Sequence, residues 1–236
     1  MRYAAKGGGR DKDQKAETVE PAPPKDIAPL AKAAARKALE IEPALAEAHT
    51  SMGAVSHFYD RDSQAAEQAF QRALDSNPGY ATAHHWYGNL LVSAGRFDQA
   101  LSEMEKARKL DPLSLIINTN LARVHYFARR YDRAIALYEE TLKMDPNFGS
   151  ALWKLRFAYQ KANRIPDAFG ALERWLRSAN YDEMLERVRL EYKQSGYAGA
   201  LRKVLENYLA VSERGGFVDP NNVALLYATL DEKDEA

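Results

Sequence analysis

The chain lacks the residues and patterns on which several functions depend. It contains no cysteine among its 236 residues, so disulfides, thiolate nucleophiles and thiolate metal sites are excluded. No apolar run approaches the roughly 20 residues that a membrane-spanning helix needs. The 33 basic and 33 acidic residues balance, without the basic excess typical of nucleic-acid-binding proteins. We therefore expect no direct contact with membrane or nucleic acid.

The N-terminal residues carry positive charge, but no apolar stretch follows it, as a secretory signal would require. Residues 1–26 are rich in glycine, lysine, glutamate and proline, and this composition predicts a disordered tail. The missing signal and the missing cysteine together predict a cytoplasmic protein.

Signatures of enzymatic chemistry are also missing. No serine lies in a Gly-x-Ser-x-Gly elbow, and no glycine-rich phosphate loop follows a strand pattern. The five histidines have no cysteine or acidic partner that would complete a metal site. His49 and His84 share one phase and are expected to be partly buried, hydrogen-bonded core histidines. The sequence therefore predicts no catalytic residue, no cofactor and no metal, and the protein is not expected to be an enzyme.

What the sequence does contain is an internal repeat, carried by two residue types in one phase. The prolines are Pro43, Pro78, Pro112 and Pro146, spaced by 35, 34 and 34 residues. The alanines are Ala66, Ala100, Ala134 and Ala168, each 34 residues after the one before. Agreement between independent residue types predicts a repeated structural unit of about 34 residues.

Each period has helical spacing in both of its halves. In residues 81–114, Tyr87, Leu90 and Leu91 follow the i, i+3, i+4 pattern of a helix face. Gly95 separates this stripe from the next, at a point where a helix end favours the left-handed region. Asn163 holds the equivalent position two periods later. Each period is therefore predicted to be a helix–turn–helix hairpin.

The segment 81–112, ATAHHWYGNLLVSAGRFDQALSEMEKARKLDP, resembles the tetratricopeptide repeat, or TPR. Gly88, Ala100, Ala107 and Pro112 occupy the small and proline positions of that repeat, and the resemblance covers roughly residues 28–236. More narrowly, HTSMGAVSHFYDRD and VALLYATLDEKDEA look like the TPR tails of bacterial regulators. In those proteins the repeats follow a winged-helix, Ser/Thr-kinase or cyclase domain.

The resemblance implies an all-α fold, a right-handed α-α superhelical solenoid of about five hairpins with incomplete terminal units. The solenoid is predicted to span 27–236, in seven parts. These are a lone helix ending by residue 45, hairpins at 46–80, 81–114, 115–148, 149–180 and 181–216, and a truncated sixth unit at 219–236. Because no polar cap is recognisable at either end, self-association through an end, or fraying of residues 219–236, is predicted.

In such a stack the first helix of each hairpin lines the concave surface, which is the expected binding site. The predicted peptide-binding residues are His85, Asn89, Asn120, Arg123, Tyr126, Phe127, Trp153, Phe157 and Arg189. Aromatic and arginine side chains are the usual anchors of protein interfaces. For Trp153 and Phe157, packing against neighbouring helices is an equal alternative.

Some TPR proteins clamp a carboxylate with lysine, asparagine and arginine side chains. Here His85 and Trp153 hold the positions where that clamp needs lysines. We hypothesise that Arg123 with Asn89 nevertheless holds an acidic side chain or terminus.

The function predicted from the sequence is a protein–protein interaction scaffold that binds a peptide or partner helix in the groove. An alternative is the regulatory or sensory TPR region of a multidomain bacterial transcription regulator or Ser/Thr kinase, acting in signalling. A third is an enzyme subunit whose repeats recruit substrate.

Overall fold

The computed structural model describes residues 24–216 and 218–230, and within these ranges all regular structure is helical. The eleven helices there are α1 (Pro24–Ile41), α2 (Ala46–Phe58), α3 (Ser63–Ser76), α4 (Ala81–Ser93), α5 (Phe97–Leu110), α6 (Leu115–Phe127), α7 (Tyr131–Met144), α8 (Gly149–Lys161), α9 (Ile165–Ser178), α10 (Asp182–Glu213) and α11 (Pro220–Leu230). The predicted all-α fold is confirmed.

The helices stack in sequence order as antiparallel hairpins. Helices α2 and α3 pair, as do α4 with α5, α6 with α7 and α8 with α9, and each second helix packs on the next first helix. The four in-phase alanines, Ala66, Ala100, Ala134 and Ala168, are all fully buried. Small side chains at these positions allow close helix approach, and stacking hides the apolar faces that one hairpin leaves exposed.

The turn within each hairpin places one residue in the left-handed region. These residues are Arg61, Gly95, Arg129 and Asn163, with φ of 57°, 71°, 60° and 59°. Glycine and asparagine adopt this conformation readily, as the sequence predicted for Gly95 and Asn163. The two arginines adopt it against their intrinsic preference, because the same turn recurs every 34 residues whichever side chain it carries.

A second recurring device joins consecutive hairpins. A side chain in the first turn of a helix lies against the carbonyl oxygen of the proline before it. The pairs are His49 Nε2 with Pro43 O at 2.8 Å, His84 Nε2 with Pro78 O at 2.9 Å and Asn118 Nδ2 with Pro112 O at 2.9 Å. The two histidines are therefore hydrogen-bonded structural residues, as their phase in the sequence indicated.

The N-terminal end differs from the prediction. Helix α1 begins at Pro24, so residues 24–26 belong to a helix although they were assigned to a disordered tail. The remainder of the predicted tail, residues 1–23, lies outside the described residues. Proline is compatible with a first helical turn, where its missing N–H has no partner to lose.

The C-terminal part departs from regular stacking. Helix α10 consists of two helices across a kink at Gly196, which has φ 68° and ψ −162°. Successive first helices contact one another from α2 to α8, but no Cα of α10 lies within 8 Å of a Cα of α8. Among the described helices only α10 has Cα atoms within 8 Å of those of α11. Residues 231–236 of the predicted sixth unit lie outside the described residues.

Candidate peptide-binding groove

Four predicted site residues meet in one polar network between α4 and α6. His85 Nε2 accepts hydrogen bonds from Asn120 Nδ2 at 2.7 Å and from Asn89 Nδ2 at 3.2 Å. Asn89 Oδ1 in turn accepts from Arg123 Nη2 at 2.6 Å. Burial, and then the positive charge of Arg123, lowers the pKa of His85 to about 4. His85 is therefore neutral at physiological pH and acts as an acceptor that orients both amides.

Arg123 is the one charged member of this network. Its burial lowers the pKa of the guanidinium, yet an arginine remains protonated in any folded protein. Its Nε is buried and has no hydrogen-bond partner, and Arg123 forms no ion pair with any described residue. The network thus holds a cation in place and leaves it without a counter-charge.

Beside Arg123 lies a cavity of about 380 Å³, enclosed by α6, α7, α8 and α11. Its walls consist of Arg123, Tyr126, Phe127, Tyr138, Trp153, Lys154, Phe157, Asp219, Asn221, Asn222 and Leu225. Five of these are predicted site residues. The structure therefore brings most of the predicted site together, and it adds a wall from α11 that the sequence did not indicate.

Lys154 is a cavity residue that sequence reasoning missed. Burial first, and then repulsion from Arg123, lowers the pKa of Lys154 to about 8, although Asp219 acts in the opposite direction. Its Nζ donates to Ser150 Oγ at 2.7 Å and forms no ion pair with a described carboxylate. Lys154 follows Asn120 by 34 residues, so the repeat phase of Asn120 was a signal that could have identified it.

Trp153 serves both the core and the cavity. It is 7% exposed, and its ring centroid lies 4.6 Å from that of Trp175 and 5.8 Å from that of Phe157. Its indole Nε1 is buried without a hydrogen-bond partner. Packing and lining, the two alternatives for this residue, therefore both apply, because the ring is largely buried against its neighbours and the residue also lines the cavity.

Arg156 was also missed, although it marks a break in the repeat. It occupies the position that Gly53, Gly88 and Ala122 hold in the preceding units, and it is fully buried. Its Cζ lies 4.0 Å from the ring centroid of Trp153 and 3.8 Å from that of Phe157. These cation–π contacts fix two aromatic rings of the cavity wall.

Arg189 does not line this cavity. Its Nε donates to Glu173 Oε1 of α9 at 2.6 Å and its Nη1 donates to Glu186 Oε1 at 2.7 Å. The expected grouping of Arg189 with the other residues is therefore not seen. The repeat phase on which the prediction relied does not continue into α10, because α10 packs against α9 without reaching α8 at the backbone.

Groups that could hold a metal ion and helices that could span a membrane are absent from the part of the chain that the structure describes. In the described ranges no group of three or more acidic or histidine side chains is placed to hold a metal ion. None of the described helices combines the length and apolar character needed to cross a bilayer.

The chain belongs to the tetratricopeptide repeat family. The family model for this repeat matches residues 52–114 and 119–183, which together are more than half of the chain.

Curated proteins from several kingdoms resemble the chain over part of its length. It is 27% identical over 139 residues to the type IV pilus assembly protein PilF of Pseudomonas aeruginosa, covering 58% of this chain and 55% of PilF. It is 26% identical over 123 residues to Hsp70-Hsp90 organizing protein 3 of Arabidopsis thaliana, covering 52% of this chain and 22% of that protein. The chain thus spans about half the length, or less, of these relatives.

Solved structures show the same fold. PilW, described as a widely conserved type IV pilus biogenesis factor, superposes with a TM-score of 0.66 at 18% identity, covering 86% of this chain and 91% of PilW. The PilF structure from Pseudomonas aeruginosa superposes with a TM-score of 0.60 at 20% identity, covering 88% of this chain and 85% of PilF. YrrB, described as a TPR protein with an unusual peptide-binding site, superposes with a TM-score of 0.53 at 20% identity. The match covers 68% of this chain and 82% of YrrB.

Proposed function

We propose that the chain is a protein-interaction scaffold that binds an acidic segment of a partner protein in the groove formed by α4, α6 and α8. One observation carries the proposal. Arg123 and Lys154 lie together in the wall of one cavity, and neither forms an ion pair with a described carboxylate.

The contrast with other cations of the chain supports this proposal. Arg96 lies 2.8 Å from Glu67, Arg164 lies 2.8 Å from Asp167 and Arg189 lies 2.6 Å from Glu173. These three arginines thus have carboxylate partners, whereas the two partly buried cations of the groove have none. Burial penalises an unpaired charge, and a carboxylate from another molecule would offset that penalty.

The shape of the site favours a polypeptide over a free anion. The polar network and the cavity extend across three successive first helices, and the cavity wall is largely aromatic. An extended peptide or an amphipathic helix can contact such a surface along its length. The descriptions of relatives agree, since one is an Hsp70-Hsp90 organizing protein and another a TPR protein with a peptide-binding site. We place this activity in the cytoplasm.

A library of random twelve-residue peptides, selected on the whole chain, tests the proposal. Selected peptides should be enriched in aspartate and glutamate. Their affinity should fall about ten-fold or more in Arg123→Gln and in Lys154→Met, because charge-assisted hydrogen bonds are lost. Arg133→Gln is the matched control, since it removes the same charge from an exposed position on α7. Selection without acidic enrichment, or an equal loss in the control, would refute the proposal.

A second proposal is that the repeats form the sensory region of a bacterial transcription regulator or Ser/Thr kinase. Residues 49–62 and 223–236 motivate it, because they resemble the TPR tails of such proteins. The groove would then receive the signal. Coding sequence for a winged-helix or kinase domain contiguous with this chain would support it, and a gene without either would remove it.

Self-association through an end is a further proposal. Leu30 and Ile41 of α1 are 71% and 81% exposed, which leaves apolar surface at the start of the stack. Light scattering after gel filtration tests it, and a concentration-independent monomer mass would contradict it.

A further inference from the structure

Helix α11 contributes to the wall of the candidate cavity. Among the described helices only α10 has Cα atoms within 8 Å of those of α11, and Leu226 of α11 is fully buried. The first turns of α11 nevertheless supply Asp219, Asn222 and Leu225 to the cavity that α6 and α8 line. The cavity therefore has walls from separate parts of the stack.

Apolar groups on these walls are left uncovered. Phe127 at the end of α6 is 47% exposed and Leu225 on α11 is 45% exposed, and both line the same cavity. Tyr126, Trp153 and Phe157 line the cavity as well. A volume of about 380 Å³ is within the range of small-ligand pockets, so it accommodates at least one large side chain.

The charged residues of the cavity wall determine the charge of the partner group that lies next to that side chain. Arg123 and Lys154 are both cationic at neutral pH, and Asp219 is the single acidic residue in the lining. The carboxylate of Asp219 is already engaged at the start of α11, where its Oδ1 accepts from Asn221 N at 2.9 Å and from Asn221 Nδ2 at 3.0 Å. The cavity thus retains a net positive charge next to an aromatic surface.

We propose that this cavity is a subsite for one aromatic side chain of the partner segment, adjacent in the partner sequence to an aspartate or glutamate that reaches Lys154. The inference rests on the proposed acidic partner and adds two features to it. It specifies an aromatic anchor next to the acid, and it assigns Leu225 of α11 as part of the surface that recognises the anchor.

The test uses an acidic twelve-residue host peptide with four glutamates and one variable central position. Calorimetric titration of the whole chain at pH 6.5, where Lys154 is charged, compares phenylalanine with alanine at that position. We expect phenylalanine to bind about ten-fold more tightly, since burial of an aromatic ring is worth at least that factor. Changing the neighbouring glutamate to glutamine should weaken the phenylalanine peptide more than changing a terminal glutamate.

A double-mutant cycle locates the contact. Leu225→Ala should remove most of the preference for phenylalanine and leave the alanine peptide unchanged. Leu113→Ala is the control, because Leu113 is 78% exposed in the turn before α6 and does not line the cavity. Leu225 is itself partly exposed, so thermal melts of both variants should resemble that of the wild type.

The outcomes separate this inference from the function on which it rests. Equal affinity for the phenylalanine and alanine peptides would overturn the aromatic subsite and leave the acidic groove standing. Full retention of the phenylalanine preference in Leu225→Ala would overturn the assignment of α11. Failure of every acidic peptide to bind the wild type would instead overturn the proposed function.

Discussion

Lys154→Met is expected to make the chain more stable and less able to bind an acidic partner. Lys154 lies largely buried beside Arg123, and this environment lowers the pKa of its amine to about 8. Methionine has a similar unbranched shape, so it can fill the same space without the charge. In the unliganded folded state, keeping the buried Lys154 ammonium charged costs free energy. The substitution to methionine removes this cost and also removes the charge that we propose binds the partner.

The magnitude follows from the pKa change. A fall from 10.5 to about 8 corresponds to a cost of about 3 kcal/mol for keeping the ammonium charged in the folded state. The substitution also removes the hydrogen bond to Ser150, which is worth about 1 kcal/mol. We therefore expect a net gain of about 1–2 kcal/mol in the free energy of unfolding at pH 7.

The sign of the pH dependence gives a second check on the same variant. A lysine whose pKa is lowered on folding binds fewer protons in the folded state than in the unfolded state between about pH 8 and 10.5. The cost is fully present below pH 8 and is relieved as the pH rises through that window. The advantage of Lys154→Met over the wild type should therefore shrink at pH 9.5.

Urea unfolding at pH 7 and at pH 9.5 measures both effects, with the slope of the transition checked for constancy. Lys143→Met is the control, because Lys143 is an exposed residue of α7 and its substitution should change stability by less than about 0.5 kcal/mol. A Lys154→Met variant that is less stable than the wild type at pH 7, or whose advantage does not change with pH, would refute the reasoning.

Three further predictions concern the same fold and site. The affinity of the wild type for the acidic host peptide should fall as the pH rises above 8, towards the value for Lys154→Met, whereas Lys154→Arg should show no fall up to pH 9.5. Anisotropy titrations can determine both. Gly53→Ala should lower the free energy of unfolding, measured in urea, by about 1–3 kcal/mol, because the new Cβ would lie 2.7 Å from the rigid ring of Phe70. Gly88→Ala should lower it by less, because its Cβ would meet a flexible methionine side chain. Arg129→Gly should raise the free energy of unfolding by about 0.5–1 kcal/mol by relieving a φ of 60°, and a lower melting temperature would contradict this.

Local features of the fold were readable from the residues. The spacing of the prolines and alanines gave the hairpin period, and the alanines are buried as the stack requires. Asn163 adopts the left-handed conformation expected from its alignment with Gly95. His84, expected to be a hydrogen-bonded core residue, is 5% exposed and contacts Pro78 O. Each feature depends on contacts within one hairpin or between neighbours, which a repeating sequence specifies directly.

The departures from the repeat were harder to read. Arg156 replaces a small residue of the repeat, and the sequence did not indicate that a buried arginine would be accommodated between Trp153 and Phe157. The phase of Arg189 continues that of the earlier units, but α10 is divided at Gly196 and none of its Cα atoms lies within 8 Å of a Cα of α8. In both cases the outcome depends on how neighbouring side chains share space.

The sequence by itself determined that helical hairpins recur every 34 residues, which small residues they bury and which face of α4 and α6 carries the polar network. Only the tertiary structure decided that Leu225 would line the same cavity as Phe127, almost 100 residues earlier in the chain. That meeting depends on the sum of the rotations between all intervening hairpins and on the kink in α10. A small change in packing at each step is amplified along a stack, so no local pattern in the residues encodes it.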